Sequence, residues 1–252
     1  MTDFEFLPQI PIDAAHTLEH VTGRFQTVKD GLPELIKNSK DQYARLGIFN
    51  KEERQIIILG DTEKRTLAVL DFGGATSEDL DGWQTWSSRT AGRAELSVDI
   101  EAGHGNGGKA FMVRGSKSEA FIEFCYNGMH NKMGFKNDDP DRRFLPGYAK
   151  ESGRKIQDLP EFNPDKRLKL VLRPFKLGLG DLPETCQQVF SSRHAFTIVR
   201  LEDLRDSDGK WPSTVKRLAA MMPSDLAMHG QAALTIETCS VWVIVDSLQA
   251  RQ

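Results

Sequence analysis

The chain has 252 residues, 39% hydrophobic and 27% charged, enough to bury a core without disulfides or metals. A net charge of −3 gives no global attraction to nucleic acid or to an anionic membrane, leaving only a local basic face open. Cys125, Cys186 and Cys239 form no CxxC pair, which speaks against a thiolate zinc site or a disulfide framework and for a reducing, cytoplasmic compartment.

The opening MTDFEFLPQIPID carries acids and prolines where a secretory signal needs a basic start and an unbroken apolar run. The strongest apolar run, Val241 to Val245, is too short to span a bilayer. Residues 1–252 are expected to form a single domain. Residues 13–29 read as a helix with Asp13 as N-cap, and a second helix runs from Pro33 to about Leu46, with Pro33 in its first turn. Strands are expected at 54–61 and 65–72, each rich in Ile, Leu and Val and ending near an Asp. The stretch 82–108 is poor in apolar periodicity and rich in Gly, Ser, Thr and Arg, as suits a long functional loop, with helix resuming near Lys109. Strands follow at 119–126 and 129–136, then a charged, Pro/Gly-rich excursion at 137–165. Further strands are expected at 167–173 and 195–202, a helix at 212–222, and two short strands within 232–247. Helices gathered early and strands late give an α+β class. The expected form is a two-layer sandwich with a mixed, mostly antiparallel sheet and helices on one face.

Three segments carry chemistry. Glu34, Asn38 and Asp41 are spaced i, i+4, i+7 and share one stripe of the predicted helix, while Leu32, Leu35, Ile36, Tyr43 and Leu46 fall roughly opposite. Such a stripe can hold Mg²⁺ through the hard oxygen of Asn38 and leave Glu34 to orient or deprotonate a water. It can equally be a solvated face, with Glu34 serving the helix dipole. Lys37, about 60° round the helix from this stripe, is expected in solvent.

The second segment, Leu70 to Thr76, ends an apolar strand on Asp71 and continues through Gly73 and Gly74. It is either a plain turn or a carboxylate beside bare backbone, where a flat ligand can donate an exocyclic amino proton to Asp71. A protein-kinase reading of Asp71-Phe72-Gly73 lacks its catalytic loop and Gly-rich phosphate strand. The third segment, Gly103 to Ala110, bears glycines whose amides can surround phosphate oxygens at a helix start. Lys109 can pair with phosphate or sit in solvent. The same letters satisfy a P-loop and a dinucleotide fingerprint, but Ala110 stands where a P-loop needs Ser or Thr, and Cys125 and Tyr126 stand where a dinucleotide fold needs an acid.

Taken in order, these segments resemble the gyrase, heat-shock chaperone, histidine kinase and MutL (GHKL) ATPase superfamily. Glu34-x-x-x-Asn38 with Asp41 matches its helix motif, and Asp71-x-Gly73 matches its second box, with Ala75 replacing a further glycine. Gly105-x-Gly107 with Gly108 matches its lid box, preceded by Trp86-Ser87-Ser88-Arg89. Thr197 occupies the late-strand threonine, although Ala195 departs from the glycine before it. The resemblance implies a Bergerat-type sandwich that binds ATP with Mg²⁺. Asp71 would hold the adenine amino group, Asn38 the metal and Glu34 the attacking water. Asp41, Gly73, Gly105, Asn106, Gly107, Gly108, Lys109 and Thr197 would complete the ATP site. It further implies an ATP-dependent homodimer or a downstream transducer domain, whose lysine reaches the γ-phosphate. The chain stops soon after its last predicted strands, so it is expected to be part of a longer protein or to borrow that role from a partner. Three functions stay open: an ATP-hydrolysing switch, a nucleotide-binding regulatory module with little hydrolysis, and an interaction domain in which the glycines are turns. A P-loop-like NTPase is the weaker enzymatic alternative.

Overall fold

The structure, a computed structural model, describes residues 23, 25, 27–75, 107–138, 151–155, 163–205, 238–246 and 248–251. Of the expected helix at 13–29, residues 13–22, 24 and 26 lie outside the described residues, as do residues 82–106 and the expected helix at 212–222.

The first helix, α1 (Val28–Arg45), starts at a Thr27 N-cap whose side chain accepts from the Asp30 amide, with Asp30 in the first turn. It therefore begins earlier than the Pro33 start expected from sequence, and Pro33 lies inside it. Strands β1 (Gln55–Asp61) and β2 (Thr66–Asp71) follow as an antiparallel pair. Helix α2 (Gly107–Gly115) leads into the hairpin β3 (Glu119–Tyr126) and β4 (Met129–Lys136). Strand β5 (Glu151–Lys155) pairs with β4, so part of the expected excursion is sheet. Next come α3 (Pro164–Leu172), α4 (Glu184–Arg193), β6 (Phe196–Leu201), β7 (Ser240–Val245) and β8 (Leu248–Arg251).

The eight strands form one sheet in the order β5-β4-β3-β6-β2-β1-β7-β8. Only β1 and β7 pair in parallel among the described strands, so the sheet is mixed and mostly antiparallel, and the class is α+β. Helices α1 and α2 cover one face. Leu32, Leu35, Phe111 and Val113 pack there against Ile56, Ile58, Val69 and Ile122. The opposite face is covered too: Leu168, Leu172, Cys186 and Phe190 of α3 and α4 pack against Ile57, Leu59, Leu70 and Ile198. The expected single helical layer is thus joined by a second, because β1 and β2 are buried along their whole length and each pleat face needs its own cover.

Residues 167–173, expected as a strand, are helical. Asn163 caps the helix by accepting from the Lys166 amide, Pro164 opens it and Asp165 occupies its first turn. Leu168, Val171 and Leu172 form the buried stripe, and Leu170, which strand alternation would bury, is 53% exposed.

Two contacts set the helical layers. On the first face, Phe111 of α2 sits against Gly31 of α1, where an added Cβ would meet the ring at 1.9 Å. On the second, the Arg167 guanidinium of α3 donates twice to the buried Glu123 carboxylate of β3, once through Nη2 at 2.7 Å. His130 of β4 meets the same carboxylate at 3.0 Å. These partners overcome the cost of burial and bring the Glu123 carboxyl down to about 2.

Gly31→Ala is expected to destabilise the chain by roughly 1–3 kcal/mol, the usual cost of overpacking, read from chemical denaturation. Because the Glu123 pKa is lower folded than unfolded, its contribution is complete above the ordinary carboxylate range and is lost as pH falls toward 2. Arg167→Leu is expected to move acid unfolding to higher pH. An unchanged acid midpoint would show that the pair adds nothing.

Candidate functional site

Asp71 ends β2 at the floor of the first helical layer. It alternates with Leu67 and Val69, both in the core beneath α1 and α2, so its side chain faces that layer. The Ser39 hydroxyl of α1 donates to Asp71 Oδ2 at 2.8 Å, and the Gly73 amide donates to Oδ1 at 3.0 Å. Burial outweighs these donors and pushes the carboxyl up to about 7. The turn beyond it is tight. Gly74 has φ +77°, and a Cβ there would meet Tyr126 Cβ at 2.8 Å and the Cys125 carbonyl oxygen at 2.9 Å. That turn is therefore built on glycine, with Ala75 buried behind it.

Two further residues hold the turn. The Tyr43 hydroxyl of α1 donates to the Gln55 carbonyl at 2.7 Å and accepts from the Phe72 amide at 2.8 Å, joining the helix to two strands. From the other face, Arg193 at the end of α4 donates to the Phe72 carbonyl at 3.1 Å.

Strand register carries the site sideways. Thr197 of β6 lies opposite Asp71, Phe124 of β3 opposite Thr197, and Asn131 of β4 opposite Phe124. Thr197 Oγ1 and Asn131 Oδ1 are both buried without a hydrogen-bond partner. Unsatisfied buried polar atoms are costly, so this row has unmet capacity for a polar ligand or a water.

Glu34 and the glycine-rich segment meet. A Cβ on Gly107 would lie 2.3 Å from Glu34 Oε2, so the carboxylate stands against the first residue of α2. The amides of a helix's first turn lack intrahelical acceptors and favour negative charge. Gly108 and Lys109 follow in that turn, and Lys109 is only 2% exposed rather than in solvent. Burial draws its ammonium down to about 8. Asn38, one turn after Glu34, is half-buried. Asp41 is buried, and so is Lys37, correcting its expected solvent position.

Glu34, Gly107, Asp71, Gly73 and Thr197 thus border the α1-covered side of the sheet, with Asn38 and Asp41 on α1 itself. Gly105 and Asn106 lie outside the described residues. Among the described residues no group of three or more His, Cys, Asp or Glu side chains is placed to hold a metal. One amide oxygen beside a carboxylate suits Mg²⁺, which keeps most of its coordination for waters and ligand phosphates. The P-loop alternative does not fit. Lys109 lies in a helix followed by an antiparallel hairpin, where a P-loop needs a parallel strand-loop-helix unit.

Sequence reasoning missed Ser39, Tyr43, Arg193 and Asn131. Only Ser39 left a signal, as a small hydroxyl on the apolar side of α1 near Leu35 and Tyr43.

No protein-family model matches the chain, and no curated protein matches it. Among solved structures it is similar to the ATPase and transducer domains of DNA topoisomerase II from Balamuthia mandrillaris, at 12% identity and a TM-score of 0.48. That likeness covers 88% of this chain, which spans about half, 48%, of the other. Among the described residues no helix is long and apolar enough to cross a membrane.

The raised Asp71 pKa makes its ionisation a cost to the fold. Stability falls as pH rises from the unfolded value near 3.8 to about 7. Asp71→Asn is therefore expected to stabilise the chain at pH 8 and to change it little at pH 4, measured by urea denaturation.

Proposed function

We propose that the chain binds ATP with Mg²⁺ in the space bordered by α1, the end of β2 and the start of α2, and hydrolyses it. One observation carries this reading. The buried Asp71 carboxylate and the partnerless Thr197 hydroxyl stand side by side on adjacent strands, while Glu34 stands at the glycine start of α2. Acceptors for a base at one end, and helix amides for phosphates at the other, are the two recognition elements a nucleoside phosphate asks for. The order of these motifs along the chain, shared with the GHKL superfamily, supports the same reading.

In this mechanism the ionised Asp71 accepts a hydrogen bond from the exocyclic amino group of adenine. Ser39 and the Gly73 amide hold the carboxylate in place, and Thr197 bonds the base or a water beside it. Gly107 and Gly108, with Gly105 and Asn106, present backbone amides to the phosphates, and Lys109 adds positive charge. Asp41 supports the α1 side of the pocket. Asn38 would hold Mg²⁺, which supplies charge neutralisation at the phosphates when bound. Glu34 orients the attacking water and takes its proton. The proximity of Glu34 to Gly107 supports this role, and general-base help of this kind is worth about 10²–10⁴-fold.

ATP binding would drive homodimerisation or move a transducer-like partner. A reducing, cytoplasmic setting fits the three free, buried cysteines.

The test joins calorimetry with phosphate release. Wild type is expected to bind ATP with Mg²⁺ and release phosphate, and Glu34→Ala to keep binding while release falls about 10²–10⁴-fold. Equal release by the two proteins overturns hydrolysis and leaves a nucleotide-binding module. If ATP produces neither heat nor a thermal shift in wild type, the site is not a nucleotide site.

A further inference from the structure

The second helical layer carries a surface that the nucleotide reading does not use. Residues 166–176 (KRLKLVLRPFK) hold five Lys or Arg and no Asp or Glu, in a chain whose net charge is −3. The fold sorts these cations. Arg167 turns inward to Glu123, and Leu168, Val171 and Leu172 seat α3 on the sheet. Lys166, Lys169 and Arg173, at i, i+3 and i+7, are left on the opposite, solvent-facing stripe. None has an ion-pair partner among the described residues. Lys176 continues the stripe past the 3-10 turn Arg173–Phe175, and Lys64 reaches the Pro174 carbonyl from the β1–β2 turn at 3.0 Å. The nearby acid Glu63 is 3.5 Å from Lys176, and Asp165 in the first turn is the one acid of α3 itself.

We propose that this face of α3 binds the phosphate backbone of duplex nucleic acid, independently of its sequence. Three cations along about 10 Å of helix meet a polyanion that carries one charge per roughly 1.7 Å of its axis. Arg173 adds the forked donor geometry that suits phosphate. A membrane surface is the poorer partner. It calls for a broad apolar face between the cations, and here Leu170 alone is apolar and exposed on α3. An acidic peptide would gain from an apolar pocket along the stripe, and Leu170 protrudes instead. The clamp at Glu123 fixes α3 to β3, so the basic stripe is held on the face of the sheet opposite Asp71 and Thr197.

The whole chain is titrated into a labelled duplex of about 20 base pairs in about 50 mM salt and again at higher salt, by fluorescence anisotropy. The comparison is between Lys166→Ala/Lys169→Ala/Arg173→Ala and a control triple at the exposed Lys29, Lys51 and Lys117. All three α3 side chains are exposed, and thermal melts verify that both variants fold. Wild type and control are expected to bind alike. The α3 variant is expected to bind on the order of tenfold more weakly, with a log–log salt slope shallower by roughly 2–3. No duplex binding by wild type, or equal loss in the two triples, overturns the proposal. Binding to anionic vesicles with none to duplex overturns it in favour of a membrane. None of these outcomes bears on ATP binding, which is measured separately on the same samples.

Discussion

The tie between α1 and the end of β2 is the constraint on which the rest of the site depends. Ser39 bonds the Asp71 carboxylate, and Tyr43, one turn on, accepts the amide of Phe72 while donating to Gln55. These bonds fix both the height and the rotation of α1 above the sheet. Once the rotation is set, helical geometry dictates that Glu34, Asn38 and Asp41 share the adjoining stripe. The close seat of Phe111 on Gly31 then brings α2 alongside, with Gly107 against Glu34. Four sequence-distant pieces are aligned by a few contacts, each with little room to slide.

This arrangement holds several charges out of water. Asp71 is driven up toward neutrality and Lys109 down toward it, both by burial. A folded chain gains nothing from such positions, because desolvation opposes the charged form of each. Both positions therefore cost the fold stability through desolvation. The unpartnered Thr197 hydroxyl fits that pattern, and Glu123 contrasts with it. Buried equally deeply, Glu123 has Arg167 and His130 in place and so remains ionised. The two buried carboxylates thus lie on opposite faces of the sheet, Glu123 held by charged partners and Asp71 by neutral donors.

Much of this was legible in the sequence. Strands β1 to β4 and β6 were readable because their apolar runs are long and bounded by turns, and α2 because it follows glycines. The Glu34-Asn38-Asp41 stripe and the Asp71-Gly73-Gly74 turn follow from periodicity and residue chemistry. Helix α3 was misread because Leu168, Leu170 and Leu172 alternate as in a strand. The Asn163-Pro164-Asp165 cap, a helix-start signal, was the stronger cue. The unbroken run Ile56 to Leu59 also signalled a strand covered on both faces, and hence the second helical layer.

The sequence by itself determined which residues could do chemistry and on which local element each sits, since helix and strand periods are local properties. Tertiary structure decided which of them meet. That Thr197 lies opposite Asp71, that Ser39 and not Asn38 is bonded to Asp71, and that Lys37 and Lys109 are buried all depend on strand register and helix rotation. Those are set by packing between segments far apart in the chain, as where Asp246 accepts from the Thr62 amide 184 residues away. No local pattern records such distances, because the free energy that selects them comes from burying both partners at once.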